Sequence, residues 1–266
     1  MAKRNLKGLR ILVTGASSGI GYSMSFELFK SGARVLATAR RRDRLERLGL
    51  ACDSESVNRG RLGELSWLEG DLTDSAHRGR LIEWCDEVWG GLDVLVNNAG
   101  AGAIGPFAQA TEDRLRRVME IDFFAPVELT RSCIPLLVAS GNRPAILNMG
   151  SVLAHRAVPN KSEYCAAKFA LRGWSESLRV ELCGSGVDVL MVSPSTTRSE
   201  FFDSLLETQE GVVSRSLGSM SPEAVARLAI RALERSNRDS ILSVGGKALV
   251  DRKSTRLNSS HANISY

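Results

Sequence analysis

Thr14-Gly15-Ala16-Ser17-Ser18-Gly19-Ile20-Gly21 stands between the apolar run Arg10-Ile11-Leu12-Val13 and a stretch, Ile20 to Ser31, whose apolar positions recur at helical spacing. The order is strand, loop, helix. In that setting the backbone amides of the loop and the first turn of the helix can face a single anion, because both present unpaired N–H groups. A glycine-rich turn alone is a weak signal. Placed after the first strand of an alternating chain, it reads as a pyrophosphate cradle.

Working outward, the same unit recurs. Ala33-Arg34-Val35-Leu36-Ala37-Thr38-Ala39 predicts a strand, a charged helix starts near Asp43, and Leu65 to Leu68 is a third apolar run. A helix from Asp74 to Trp89 and a strand from Leu92 follow. The second half predicts one long helix from Thr111 to about Ala139, a strand from Ala145, a helix from Ser162 to Cys183 and a strand from Val187. Ser221-Pro222-Glu223 opens a helix running to about Arg235, as N-cap, first-turn proline and first-turn acid, and Ser240 to Val244 forms a last strand. Near-continuous apolar strands alternating with helices require a parallel sheet covered on both faces. We therefore expect one doubly wound α/β domain of the Rossmann type with seven parallel strands, in the order 3-2-1-4-5-6-7. The least regular stretch, Thr196 to Met220, holds a short helix around Glu200 to Glu207 and is the expected lid.

The chain has no run of eighteen apolar residues and no apolar stretch behind the basic start, so we expect a cytoplasmic protein without an integral membrane segment. Five cysteines, at 52, 85, 133, 165 and 183, show no Cys-x-x-Cys spacing and no histidine cluster. They are read as small buried residues, with neither a disulfide framework nor a metal site. Residues 251–266, DRKSTRLNSSHANISY, carry no strand or helix period and resemble the in-frame translation of a sequencing-library adapter. We read them as a foreign extension of a domain spanning 1–250. Arg252, Lys253 and Arg256 against Asp251 contribute +2 of the formal net charge of +5, which leaves about +3 for the domain. With no basic stripe interleaved with aromatics, that excess does not point to nucleic acid.

Three ordered motifs resemble the short-chain dehydrogenase/reductase family. The Thr-Gly-x-x-x-Gly-x-Gly fingerprint is matched at Thr14, Gly15, Gly19 and Gly21; Asn97-Asn98-Ala99-Gly100 follows the fourth strand; and Tyr164-Cys165-Ala166-Ala167-Lys168 is preceded at thirteen residues by Ser151. The likeness runs from about Gly8 to Gly246. It implies an oxidoreductase that transfers a hydride between NADP(H) or NAD(H) and a small-molecule alcohol or carbonyl, acting on CH–OH donors as a homodimer or homotetramer. A protein of another class, an NADP(H)-binding sensor or regulator with weak or no turnover, would share the fold.

Cofactor choice is read at the end of the second strand. An acid there would accept from the ribose 2′-hydroxyl of NAD, and a base would pair with the 2′-phosphate of NADP. Ala39-Arg40-Arg41-Arg42 has no acid before Asp43, so NADP(H) is the preferred cofactor and NAD(H) the alternative. The expected cofactor contacts are Thr14, Gly15, Ser17, Ser18, Gly19, Ile20 and Gly21 in the loop, then Arg40, Arg41, Asp71 and Leu72, then Asn98, Ala99, Gly100, Tyr164, Lys168 and Pro194. Asp71 resembles the family residue that meets the adenine ring.

Tyr164 and Lys168 lie four apart on a predicted helix and so share one face. A phenol is a poor acid-base at neutral pH, but a nearby ammonium favours the phenolate. Ser151 could hydrogen-bond a substrate oxygen. The resemblance implies Tyr164 as acid-base, Lys168 as ribose anchor and Ser151 as substrate orienter. Three positions depart from it. Asp122 stands where the family usually has an asparagine that holds a relay water; if ionised near Lys168 it would partly cancel the help given to the phenolate, and if it merely accepts a hydrogen bond the relay could survive. Ser195 and Ser199 replace the Gly and Thr of Pro-Gly-x-x-x-Thr, and Ser195 takes positive φ less readily. Leu153, Ala154, His155 and Val158, with Phe201, Phe202 and Leu205 from the lid, are the pocket candidates and suggest an apolar substrate.

Overall fold

A strand whose two faces are both apolar needs a helix on each side, and that requirement accounts for the architecture. The computed structural model describes residues 3–60, 62–198, 207–208 and 219–251. The sheet strands are β1 (Arg10–Thr14), β2 (Arg34–Ala39), β3 (Glu64–Glu69), β4 (Val94–Asn97), β5 (Ala145–Met149), β6 (Asp188–Ser193) and β7 (Asp239–Ile241). They pair in the order β3-β2-β1-β4-β5-β6-β7, every pair parallel, as the sequence predicts.

Alternate residues along the strands divide the core into two layers. Ile11 and Val13, with Val35, Val96, Leu147 and Val192, meet Leu28 of α1 (Gly19–Lys30), Leu45 of α2 (Arg42–Arg59) and Val225 of α7 (Pro222–Arg235). Leu12, with Leu36, Leu95 and Ile146, meets Leu81 of α3 (Ser75–Trp89), Leu129 of α5 (Ala125–Val138) and Leu178 of α6 (Ser162–Glu181). Each fully buried Leu or Val is worth about 1.5–3 kcal/mol, so the strand ends form a firm platform for the loops above them.

The expected single helix from Thr111 to Ala139 is interrupted. α4 (Glu112–Met119) passes into one π-turn, Glu120–Phe124, before α5 begins. Pro126 supplies the cause. It has no N–H to give the carbonyl of Asp122 four residues earlier, and its ring would strike that carbonyl in a regular helix. The turn widens, and the Ala125 amide reaches back five residues to Glu120 O.

The last strand also stops short of Val244. Ser243 Oγ accepts from Gly246 N at 2.8 Å, an N-cap that starts α8 (Val244–Asp251). Glu207, expected in a short helix, lies in a two-residue strand, Glu207–Thr208, paired in parallel with Ala103–Ile104. Cys183 is exposed, whereas the other four cysteines are buried. Ser199, Phe201, Phe202, Leu205 and the stretch 252–266 lie outside the described residues. Among the described residues no helix is long and apolar enough to cross a membrane, and no three His, Cys, Asp or Glu side chains gather to hold a metal ion.

Candidate active site

The strand order reverses between β1 and β4, so the loops leaving their carboxyl ends diverge and open a crevice. Thr14 ties the two loops together. Its hydroxyl donates to Val96 O at 3.2 Å and accepts from the amides of Asn98 and Ala99, both at 3.0 Å. Asn98 Nδ2 returns a bond to Thr14 O at 2.9 Å. The glycines are what let the loops approach. Gly15 has φ of +70°, and a Cβ there would lie 2.8 Å from Ala99 Cα; a Cβ on Gly21 would run into the Gly15 carbonyl and the Asn98 amide.

The first turn of α1 carries no acid, and its N-cap, Ser18, makes no side-chain capping bond. Arg41 leans over this end, donating from Nη2 to Ser18 Oγ at 2.6 Å and to Ser17 Oγ at 3.1 Å. Ser17, Ser18, Gly19, Ile20 and Arg41 thus surround a concentration of positive potential, which suits the phosphates of a dinucleotide. Arg40 is placed differently. It is exposed, and its guanidinium lies 3.9 Å from the Asp71 carboxylate. Asp71 Oδ1 accepts from the amide and the hydroxyl of Thr73, both at 2.9 Å. Burial works to raise the pKa of Asp71, but Thr73, Arg40 and His77 outweigh it and hold the carboxyl below its usual range. Leu72 is buried beside them in the core.

Ser151, Tyr164 and Lys168 come together at the carboxyl end of β5. Ser151 caps a short 3-10 turn, Val152–Ala154, by accepting from Leu153 N at 3.1 Å, and it hydrogen-bonds the Tyr164 phenol. Lys168 Nζ lies 5.5 Å from the Tyr164 ring centroid and donates to Met149 O at 3.3 Å. Pro194 O accepts from Val152 N at 3.0 Å, joining the β6 loop to the same turn.

The π-turn delivers Asp122 into this group. Its Oδ1 lies 2.8 Å from Lys168 Nζ with both side chains buried, and its Oδ2 accepts from Ala101 N at 3.2 Å. Gly100 is required beside it, since a Cβ there would sit 2.7 Å from Asp122 Oδ1. Burial opposes the Lys168 ammonium, but the charges of Asp122 and the Tyr164 oxygen and the bond to Asp122 outweigh it and hold the pKa of Lys168 above its ordinary value. Burial also raises the Tyr164 phenol; Lys168 pulls against that rise, and Asp122 adds to it.

Two of the pocket candidates are held within the protein. Ala154 is fully buried in the protein, and His155 Nε2 shares a 3.0 Å hydrogen bond with Ser193 Oγ. Ser195 is not among the positive-φ residues, so its backbone makes no demand that a glycine alone would meet. Two buried polar groups were not anticipated. Arg114 of α4 and Glu163 of α6 pair at 2.6 Å, directly before Tyr164. Asn97 donates to Thr130 Oγ1 and to Asn148 Oδ1, both at 2.9 Å, and Asn148 donates to Ser175 Oγ at 2.8 Å, which links the sheet to α5 and α6 beneath the site. An asparagine inside an otherwise apolar strand, as in Ala145-Ile146-Leu147-Asn148-Met149, was the available signal.

The pattern that defines the short chain dehydrogenase family matches residues 10–210. The chain belongs to the short-chain dehydrogenase family. Among its relatives, a dehydrogenase/reductase SDR family protein 7-like of Anopheles gambiae is 30% identical over 252 residues, covering 90% of this chain and 76% of that protein. The oxidoreductase YxnA of Bacillus subtilis is 31% identical, covering 92% and 68%. Of solved structures, a short-chain dehydrogenase from Sphingobium yanoikuyae in complex with NADPH superposes with a TM-score of 0.77 at 28% identity, covering 89% of this chain and 88% of that one. As a short-chain dehydrogenase, the chain is an oxidoreductase of a family whose members bind a nicotinamide dinucleotide.

Proposed function

We propose that the protein is an NADP(H)-dependent dehydrogenase/reductase that interconverts an apolar carbonyl compound and its alcohol. The observation that carries this reading is the convergence of Ser151, Tyr164 and Lys168 beside a phosphate cradle. Ser151 and Tyr164 would both hydrogen-bond the substrate oxygen, holding its carbon toward the crevice. The dinucleotide, when bound, supplies or accepts the hydride. Tyr164 Oη gives or takes the proton, and the Lys168 ammonium both lowers the cost of the phenolate and offers a donor to the ribose. Arg41, held over Ser17 and Ser18, would pair with the 2′-phosphate, so NADP(H) is favoured over NAD(H). The NADPH-bound relative from Sphingobium supports that choice. Leu153 and Val158, half-buried past Ser151, support an apolar substrate. The catalytic domain is read as residues 1–250.

The test is oxidation of NADPH by the purified protein with a panel of apolar aldehydes and ketones, beside Tyr164→Phe. Turnover that is lost in Tyr164→Phe while NADPH still binds is the expected result. Binding without turnover would make the protein a cofactor sensor.

A further inference from the structure

Lys168 is the charge that would stabilise a Tyr164 phenolate, and here it is in contact with a counter-charge of its own. Asp122 lies 2.8 Å from Lys168 Nζ, both groups are withdrawn from water, and the only polar group donating to the other carboxylate oxygen among the described residues is the Ala101 amide. The remaining titratable neighbours do not change that balance. Glu163 is neutralised by Arg114 of α4, Cys165 is a buried thiol, and Ser151, from the β5 loop, is uncharged. Burial pushes the Asp122 carboxyl above its ordinary range, with the Lys168 ammonium and the Ala101 amide pulling against that rise; where the carboxyl is ionised, Tyr164 faces a pair of zero net charge instead of a lone cation.

We propose that the Asp122–Lys168 ion pair keeps Tyr164 protonated around neutral pH, so that the site acts as a carbonyl reductase there and oxidises alcohols only under alkaline conditions. In the reductive direction the carbonyl carbon receives a hydride with its two electrons from the reduced dinucleotide. The C–O π bond opens, and the oxygen takes the proton from Tyr164 Oη, which is refilled from solvent. In the oxidative direction Tyr164 must first be deprotonated, and Asp122 opposes that step by weakening the field of Lys168. Asp122 is a positioning residue in this scheme, because it acts through Lys168 and does not meet the substrate. The inference rests on the reading of Tyr164 as the proton donor.

Two measurements test it. Ultraviolet titration of the tyrosinate band in the cofactor-free protein, taken as the difference from Tyr164→Phe, reports Tyr164 without requiring turnover. The wild type is expected to show phenolate only at about pH 10 or above, and Asp122→Asn about one to two units lower. The acid limb of the alcohol-oxidation profile is expected to move down by a similar amount, with Asp122→Glu restoring the wild-type profile. A wild-type phenolate formed below neutrality overturns the proposal even if Asp122→Asn does not fold, and so does an Asp122→Asn protein whose titration and profile are unmoved. If instead Tyr164→Phe keeps full turnover, the assignment of Tyr164 fails, whatever the titration shows.

Discussion

Arg40 and Arg41 are neighbours of identical chemistry, yet they are placed so differently that the proposed recognition of NADP(H) should rest on Arg41. Arg41 is half-buried and clamped by two serine hydroxyls at the mouth of the glycine loop. A charge-assisted bond from such a preorganised guanidinium to a phosphate is worth about 1.5–3 kcal/mol. At about 1.4 kcal/mol per factor of ten, Arg41→Ala is expected to weaken NADPH binding by roughly 10- to 150-fold. Arg40 is exposed and already faces Asp71 at 3.9 Å. An exposed pair contributes about 0–1 kcal/mol, so Arg40→Ala is expected to cost at most about fivefold. Because Arg41 also props Ser17 and Ser18, its loss will disturb NADH to some degree, and the informative quantity is the NADPH-to-NADH affinity ratio. Fluorescence titration of both dinucleotides against both variants measures it. An unchanged ratio in Arg41→Ala, or a larger change in Arg40→Ala, would refute the reasoning.

Three further outcomes are expected. Gly21→Ala places a methyl group against the Gly15 carbonyl and the Asn98 amide, and overpacking of about 1–3 kcal/mol should lower the melting temperature by roughly 2–12 °C and weaken dinucleotide binding. Arg114→Met or Glu163→Leu alone strands a buried charge and should cost about 3–5 kcal/mol, whereas the double replacement should recover most of it in a denaturant-melt cycle. Asp93 is fully buried and paired with Arg10 at 2.7 and 2.9 Å; burial works to raise its pKa, but the Arg10 guanidinium and amide and Ser140 outweigh it, so the folded value lies below the unfolded one. The stability it adds is present above the ordinary aspartate pKa of about 3.9 and is lost as pH falls through the depressed folded value. Asp93→Asn should therefore be destabilised by about 1.5–3 kcal/mol at pH 7, and thermal melts should show the gap to wild type closing below about pH 4.

The sheet was legible because its information is local. Runs such as Ile11 to Val13 and Ile146 to Leu147 can be satisfied only between two helical layers, and each glycine-rich or Asn-rich turn marks where a strand ends. Tyr164 and Lys168 were readable from their four-residue spacing on one helix face, and Ser151 from the resemblance of the motif thirteen residues ahead of Tyr164 to the family's. What escaped depends on contacts between distant segments. Nothing in Arg40-Arg41 says which guanidinium turns to Ser17 and Ser18, because the direction is set where β2 meets the end of α1. Asp122 could be set beside Lys168 only through the resemblance to the family, because nothing in its own stretch of sequence names a partner forty-six residues later. The break in the long helix was signalled by Pro126, but the signal falls inside an otherwise uninterrupted helical pattern and takes effect four residues upstream.

That break also acts as a change of phase. Each residue advances an α-helix by about 100°, so the residue absorbed in the 120–124 turn rotates every later side chain by that angle relative to those before it. Val118 on the near side packs with Ala167 of α6, while Leu129 and Leu137 on the far side enter the layer below the sheet. One continuous helical segment thus serves two neighbours that a straight helix could not address together, and the carboxylate that meets Lys168 lies at the point where it turns from one to the other. Deleting a single residue from the turn together with Pro126→Ala would bring the two halves back into register and force a choice: keep the far half in the core and swing Asp122 away from Lys168, or keep Asp122 and expose the leucines.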